Sequence, residues 1–186
     1  MTCHACHEPV GGPVCVGCGA LQQPPARPDP FAILGLPRRY HLALGDVESR
    51  YLKVARVVHP DKFVSRPESE RRAALLWTAA VNEARRILRD PTSRARFLAT
   101  GRAQPSEAGP KLDATFLAEM FDWRERDEEE PGSMAQLAAT RRDELQAEID
   151  SIFSRWEAQQ GDLAAIDERL ARLKYVNGLL RPPPGD

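Results

Sequence analysis

The sequence predicts an all-α protein in which a small cysteine-rich module precedes a helical hairpin and a three-helix bundle. Apolar residues recur every three or four positions over five long segments beyond residue 28. The same region shows neither a strand-like alternation of apolar and polar residues nor a repeat of fixed period. All four cysteines lie within the first eighteen residues, which hold too few apolar side chains to form a core.

Residues 1–22, which we call the cysteine module, contain two Cys-x-x-Cys pairs made by Cys3, Cys6, Cys15 and Cys18. Each pair can bind one side of a metal ion, and four thiolates complete the tetrahedron that Zn²⁺ prefers. We therefore predict one structural zinc ion, although iron accepts the same four sulfurs. His4 and His7 can substitute for a cysteine, but we expect them to face solvent because they lie beside the ligands.

A helical hairpin is predicted over residues 30–100, after a stiff proline-rich linker at residues 23–29. A short helix begins the hairpin, with Asp29 as its N-cap and Pro30 in its first turn. Two long antiparallel helices follow, at about residues 46–58 and 68–89.

Prolines end both long helices. Pro60 stops the first one because its ring disfavours helical geometry at the preceding residue and it has no N–H to donate. Asp90-Pro91 ends the second, and Pro91 can open a short last helix that carries Phe97 and Leu98. The second long helix has a predicted apolar stripe of Leu76, Ala80, Ala84 and Ile87/Leu88.

The C-terminal region is predicted to be a three-helix bundle at residues 113–181, preceded by a linker at 101–112 and followed by a tail at 182–186. Glycine, proline and polar residues mark the linker and the breaks between helices. The predicted helices lie at about 113–129, 133–159 and 162–180. Their apolar stripes can be buried only against one another, which favours a bundle.

The net charge of −1 conceals two regions of opposite charge. Residues 29–100 carry 14 Lys and Arg against 8 Asp and Glu, whereas residues 101–186 carry 11 against 18. This division suggests two faces with different partners. Solvated helix surfaces that happen to segregate by charge are the simpler alternative.

The triplet His59-Pro60-Asp61 follows the first long helix and has three possible interpretations. A helix stop accounts for Pro60 alone. A catalytic pair requires a nucleophile or metal in a cleft, and the neighbouring sequence offers only Ser65 and basic residues. The third interpretation is a docking surface for another protein. Arg50, Lys53 and Arg56 favour it, because their spacing of three forms a basic strip on the preceding helix.

The segments around this triplet resemble a known family. A helix, the loop "HPDKF" and a helix containing "VNEARRILRDPTSRARF" are similar to the J domain of DnaJ-type co-chaperones. Together with "PFAILGLPRRYHL" and "LDATFLAEMFDWRE", they resemble the HscB family of iron–sulfur cluster assembly over about residues 29–180. The Cys-x-x-Cys pairs followed by "GALQ" resemble the subset of that family with an added zinc knuckle.

The resemblance implies a docking role for the triplet and no catalytic residue. In J domains this loop and the basic face of the preceding helix bind an ATP-bound HscA/DnaK-type chaperone and stimulate its ATPase. The residues that match are His59, Pro60, Asp61, Lys62, Arg50, Lys53 and Arg56.

The resemblance also implies that the bundle binds an IscU-type scaffold protein through apolar residues ringed by acidic ones. The matching apolar residues are Leu117, Ala118, Phe121 and Tyr175, and the acidic ones are Asp122, Glu125 and Glu129. Ala118 and Asp122 are shorter than the side chains usual at these positions, which is expected to affect the strength of binding. Independently, Leu117 and Phe121 lie off the apolar stripe of Phe116, Met120 and Trp123, so packing in the core does not obviously account for them. The alternative is that the helix is apolar on two faces because it packs between two neighbours.

Two other functions remain open at this point. One is a general J-domain adaptor whose bundle binds a different client. The other is a zinc ribbon that binds nucleic acid, which residues 1–28 disfavour because they are neutral, with Arg27 against Glu8, and lack a stripe of basic and aromatic residues. No apolar run is long enough to span a membrane, and no secretory or transit segment is apparent. We expect a cytoplasmic protein without nucleic-acid or membrane partners.

Overall fold

The computed structural model describes residues 2–106, 109–110 and 112–180, and in that part of the chain it is helical, without a β-strand. The chain divides into two compact units, Met1–Arg94 and Ala95–Asp186. The all-α prediction is thus confirmed, and the predicted tail at 182–186 lies outside the described residues. The helices are α1 (Pro30–Leu34), α2 (Leu44–Val58), α3 (Glu68–Arg89), α4 (Pro91–Thr100), α5 (Ala114–Glu129), α6 (Ser133–Glu157) and α7 (Ile166–Leu179), with a 3-10 helix at Pro60–Phe63.

None of the described helices is long and apolar enough to cross a membrane.

The first unit is a hairpin in which α1 and α2 both pack against α3. Asp29 caps α1 by accepting a hydrogen bond from the backbone N–H of Phe31 at 2.8 Å, as its position in the sequence predicts. Across the hairpin, Glu48 of α2 accepts hydrogen bonds from Arg85 of α3 and forms ion pairs with both Arg85 and Arg89. The hairpin therefore combines a buried apolar face with an ion-pair network on its surface.

The apolar face of α3 differs from the predicted stripe at its N-terminal end. Ala84 and Leu88 are buried as expected, but Leu76 is 46% exposed. The neighbouring Trp77 is buried instead, with 7% of its surface exposed. Because Leu75, Leu76 and Trp77 are three consecutive large apolar residues, periodicity alone could not determine which of them faces the core.

The buried Trp77 brings the cysteine module into the first unit. Its indole Nε1 donates a 2.7 Å hydrogen bond to the main-chain carbonyl of Gln22. The Leu21 backbone N–H donates to a carboxylate oxygen of the buried Glu70 at 3.2 Å. The module that the sequence places before a stiff linker thus contacts the first half of α3 directly.

The second unit contains α5, α6 and α7, with α6 packed against both of the others. Glycines with left-handed backbone mark the two predicted breaks, Gly132 at φ +94° and Gly161 at φ +106°. The helix α7 begins at Ile166, later than residue 162, because Asp162 accepts a hydrogen bond from the Ala164 N–H at 2.9 Å and forms a local turn.

Helix α5 has one buried and one exposed face. Asp113 caps the helix through a 2.9 Å hydrogen bond from the Phe116 N–H, which, together with the nearby Arg172 guanidinium, lowers the pKa of the Asp113 carboxyl. Met120 is fully buried, whereas Phe121 is 57% exposed. Two adjacent apolar residues, about 100° apart around the helix, therefore lie on a buried and an exposed face.

This arrangement predicts different effects for two neighbouring substitutions. Met120→Ala should destabilise the second unit by about 2–5 kcal/mol, because it removes a buried side chain and leaves a cavity. Phe121→Ala should change the stability by less than about 0.5 kcal/mol, because the side chain is largely in water. Urea unfolding followed by circular dichroism measures both, and equal losses from the two variants would contradict the assignment of faces.

Candidate functional site

The four predicted metal ligands converge in the cysteine module. The sulfur atoms of Cys3, Cys6, Cys15 and Cys18 all lie within 4.8 Å of one another. Cys3 and Cys15 are buried, each with 1% of its surface exposed. The Sγ atoms of Cys3 and Cys18 are 3.6 Å apart, as are those of Cys6 and Cys15, so each close contact joins one cysteine of each pair. Among the described residues neither histidine belongs to this group.

The protonation of these thiols shows how well the group suits a cation. A hydrogen bond from the Cys6 backbone N–H holds the pKa of Cys3 down at about 6. A hydrogen bond from the Glu8 N–H favours the Cys6 thiolate too, but the side chain of Cys18, burial and the other thiols raise the pKa of Cys6 to about 12. Four sulfurs this close cannot all ionise without a compensating positive charge. A divalent ion would supply that charge, and four thiolates would leave no open coordination position, as in structural sites.

Sequence reasoning missed one residue at this centre. Gln22 donates a hydrogen bond from Nε2 to Cys3 Sγ at 3.4 Å and another to the Ala20 carbonyl at 2.9 Å. Its Oε1 lies 3.1 Å from both the backbone nitrogen and Nδ1 of His4. The amide of Gln22 therefore lies against the sulfur of a predicted metal ligand, and the exposed His4 bonds to this amide.

The His-Pro-Asp triplet forms an exposed tip between α2 and α3. The side chains of His59 and Asp61 are 56% and 86% exposed. His59 Nδ1 accepts a long, 3.4 Å hydrogen bond from the Asp61 backbone N–H and so caps the 3-10 helix. Phe63, with 5% of its surface exposed, anchors the end of the same turn. This fixed, solvated geometry suits contact with another molecule better than chemistry in a cleft.

A basic surface continues from the tip along α2. Arg50, Lys53 and Arg56 are all exposed, and within the described chain no carboxylate forms an ion pair with them. Lys62 of the tip is exposed as well. Unpaired cations concentrated on one helix face attract an acidic surface.

A cavity of about 650 Å³ lies beside this basic surface, between the cysteine module and the hairpin. Leu21, Leu34 and Trp77 contribute buried apolar walls, and Arg50 and Lys53 also line it.

On the second unit, the exposed side of α5 holds the predicted scaffold-binding residues. We call this surface the apolar-acidic face; it consists of Leu117, Ala118, Phe121, Asp122, Glu125 and Glu129. Their spacing of three, four and seven residues places them within about half of the helix circumference. All are exposed except Leu117, which is half-buried. The apolar side chains therefore have charged neighbours on the same face.

Tyr175 of α7 is predicted to belong to the apolar patch that binds the scaffold, but its side chain is not fully exposed. It is half-buried and packs edge-on against Phe116, with the ring centroids 5.9 Å apart. It also lines a cavity of about 560 Å³ together with Arg124 and Lys174. Arg124, which sequence reasoning did not single out, is seven residues from Leu117 and adds a positive charge at the edge of the apolar-acidic face.

Comparisons with known proteins agree on one family. A family model described as the HSCB C-terminal oligomerisation domain matches residues 112–181. The co-chaperone protein HscB homologue of Bordetella pertussis is 37% identical over 146 residues, which cover 77% of this chain and 82% of that protein. The iron-sulfur cluster co-chaperone protein HscB of Mus musculus is 29% identical over 169 residues, covering 89% of this chain and 71% of that protein.

Solved structures lead to the same family. The crystal structure of human co-chaperone protein HscB matches with a TM-score of 0.74 at 25% identity, covering 96% of this chain and 94% of that one. The chaperone HscB from Vibrio cholerae shares the fold, with a TM-score of 0.60 at 21% identity over 82% of this chain and 93% of that one. Because sequence relatives, the C-terminal family model and the human structure coincide, this chain belongs to the HscB family of co-chaperones.

Proposed function

We propose that this chain acts in iron–sulfur cluster assembly by joining an IscU-type scaffold protein to an HscA/DnaK-type ATPase chaperone. The observation that supports the proposal most directly is the exposed His-Pro-Asp tip beside an unpaired basic helix face. The name of the mouse relative, an iron-sulfur cluster co-chaperone, supports the choice of pathway.

At the chaperone end, the proposed interaction is electrostatic and conformational. Arg50, Lys53 and Arg56 steer the chain to an acidic surface of the chaperone. His59 and Asp61 then contact the chaperone in the state that hydrolyses ATP, and preferential binding to that state shifts its population. The chain supplies no catalytic group in this scheme.

At the scaffold end, the apolar-acidic face is the proposed contact. An apolar centre such as Phe121, surrounded by charged residues, has the usual anatomy of a protein interface. The acidic side chains of Asp122, Glu125 and Glu129 then attract basic residues of the scaffold that surround its apolar contact. Tyr175 supports this face from beneath through its contact with Phe116.

The metal in the cysteine module is proposed to be a single structural zinc ion held by all four cysteines. The closed set of four thiolates favours this ion, and its bonds would supply folding energy to a module with little apolar core. We place the protein in the cytoplasm.

The tip is tested by replacing its histidine. His59→Gln should reduce stimulation of the chaperone ATPase to the basal rate while leaving the far-ultraviolet circular dichroism spectrum unchanged, because His59 is exposed. His41→Gln, at an exposed histidine elsewhere in the same unit, is the matched control and should retain stimulation. Full stimulation by the His59 variant would contradict the chaperone-docking role.

The apolar-acidic face is tested by charge reversal. Changing Asp122, Glu125 and Glu129 together to Lys should weaken binding of the IscU-type scaffold by about tenfold or more and flatten its dependence on salt. The control reverses three exposed acidic residues outside this face, namely Glu119, Glu130 and Asp143. Isothermal titration calorimetry at two ionic strengths measures both the affinity and its salt dependence. If the triple variant binds the scaffold as tightly as the wild type, the three acidic residues have no role in binding. If a pull-down finds another client in place of the scaffold, the chain is a general J-domain adaptor.

Elemental analysis tests the metal. The purified protein should contain one zinc ion per chain, and Cys3→Ser combined with Cys6→Ser should remove it, because two of four ligands are lost. His4→Ala combined with His7→Ala should retain the ion, since neither histidine belongs to the sulfur cluster. A metal-free wild type would contradict the site, and iron in place of zinc would correct its identity.

A further inference from the structure

A short hydrogen-bonded path joins the metal-ligand cluster to the hairpin. Gln22 contacts Cys3 Sγ through its side-chain amide at 3.4 Å. The main-chain carbonyl of the same residue accepts the 2.7 Å hydrogen bond from Trp77 Nε1. One residue therefore connects a thiolate of the cysteine module with a buried side chain of α3.

Two further contacts hold the same edge of the module. The Leu21 N–H donates to Glu70 at 3.2 Å, and both residues are buried, with 1% and 7% of their surfaces exposed. Arg66 donates to the Gly19 carbonyl at 3.3 Å and approaches Glu70 at 3.8 Å. These residues extend the contact from the cysteines to the segment immediately after the His-Pro-Asp tip.

The module depends on its sulfur cluster for shape. Its buried cluster consists of Cys3, Cys15 and Ala20, with Cys6 and Val10 partly buried against them. So small an apolar cluster cannot offset the conformational entropy of ordering the segment, and in small metal-binding modules the binding energy of the metal is folding energy. The geometry that presents Leu21 and Gln22 to α3 would therefore depend on the metal.

Loss of this geometry would leave buried polar groups of α3 without their hydrogen-bond partners. The indole N–H of Trp77 and the carboxylate of Glu70 would lose their backbone partners from the module. The cavity that Trp77 lines would also lose the wall that Leu21 contributes. The start of α3 is therefore the part of the hairpin most sensitive to the module.

We propose that Gln22 and Leu21 couple the metal to the hairpin, so that metal binding stabilises the start of α3 beside the His-Pro-Asp tip. Thermodynamic linkage makes this coupling reciprocal: the intact α3 surface must in turn increase the affinity of the cysteine module for its metal. Gln22 is then a positioning residue for the metal, acting through Cys3. The inference rests on the metal site of the proposed function and assigns the metal a role outside its own module.

The reciprocal effect is measured by competition for zinc between the full-length protein and a colorimetric chelator. Gln22→Ala should weaken zinc binding by about 10- to 100-fold, the usual cost of losing a partner of a metal ligand. Gln23→Ala is the matched control and should retain the affinity, because within the described chain the side chain of Gln23 makes one long hydrogen bond, to the Ser69 carbonyl at 3.5 Å, and none to a cysteine.

The same assay tests whether Trp77, which reaches Cys3 only through Gln22, affects zinc affinity. Trp77→Phe removes the indole N–H and keeps an aromatic ring; it should weaken zinc binding although Trp77 is not a ligand. Trp156→Phe, in the other unit, should have no effect. Unchanged affinity in both Gln22→Ala and Trp77→Phe, or equal losses in the controls, would overturn the proposal.

Amide hydrogen exchange with and without a chelator tests the direct effect. Removal of zinc should reduce protection of the α3 amides over residues 70–78, whereas α6 amides over residues 145–153 should keep theirs. Unchanged exchange in α3, in a protein shown to bind and release zinc, would overturn the coupling and leave the metal site intact. A wild-type protein that binds no metal would instead overturn both the metal site and the coupling.

Discussion

The packing of α3 is the constraint on which the first unit depends. The helices α1 and α2 both lie against it, and its first half also holds the cysteine module. Because the His-Pro-Asp tip joins α2 to α3, its geometry follows from how these two helices are held together. The buried Phe63 and the ion pairs from Glu48 to Arg85 and Arg89 secure the two ends of this arrangement. The two packed helices therefore hold the ends of a short, solvated loop.

The two compact units expose surfaces of opposite chemistry. The first has cations along α2 that pair with no carboxylate among the residues the structure describes, and the second has an apolar centre with acidic neighbours on α5. Surfaces of opposite charge discriminate between partners, which the proposed joining of two different proteins requires. The charge division along the sequence thus has a structural counterpart on named helix faces.

Much of the fold could be predicted from the sequence, because prolines, glycines and caps mark the helix ends. The exceptions have physical reasons. Helix α2 begins at Leu44, two residues earlier than predicted, because its first two residues are exposed and so do not belong to the buried apolar pattern. In α3, Trp77 is buried in the core where the sequence predicts Leu76, because neighbouring apolar residues make the period ambiguous. The clustering of the four cysteines could be predicted from their spacing. Contacts such as Gln22 to Trp77 join residues 55 apart with no shared period, so no local pattern could reveal the docking of the module. The functional roles assigned to the tip and to the apolar-acidic face stay predictions.

The central claim is that one chain connects a scaffold to a chaperone, and the most direct test is the steady-state ATPase rate of the cognate HscA/DnaK-type chaperone. The account predicts that this protein increases the rate, and that adding the IscU-type scaffold increases it by more than the sum of the separate effects. Such synergy requires both surfaces to act on one complex. No stimulation by this protein, or stimulation that the scaffold leaves unchanged, would contradict the account.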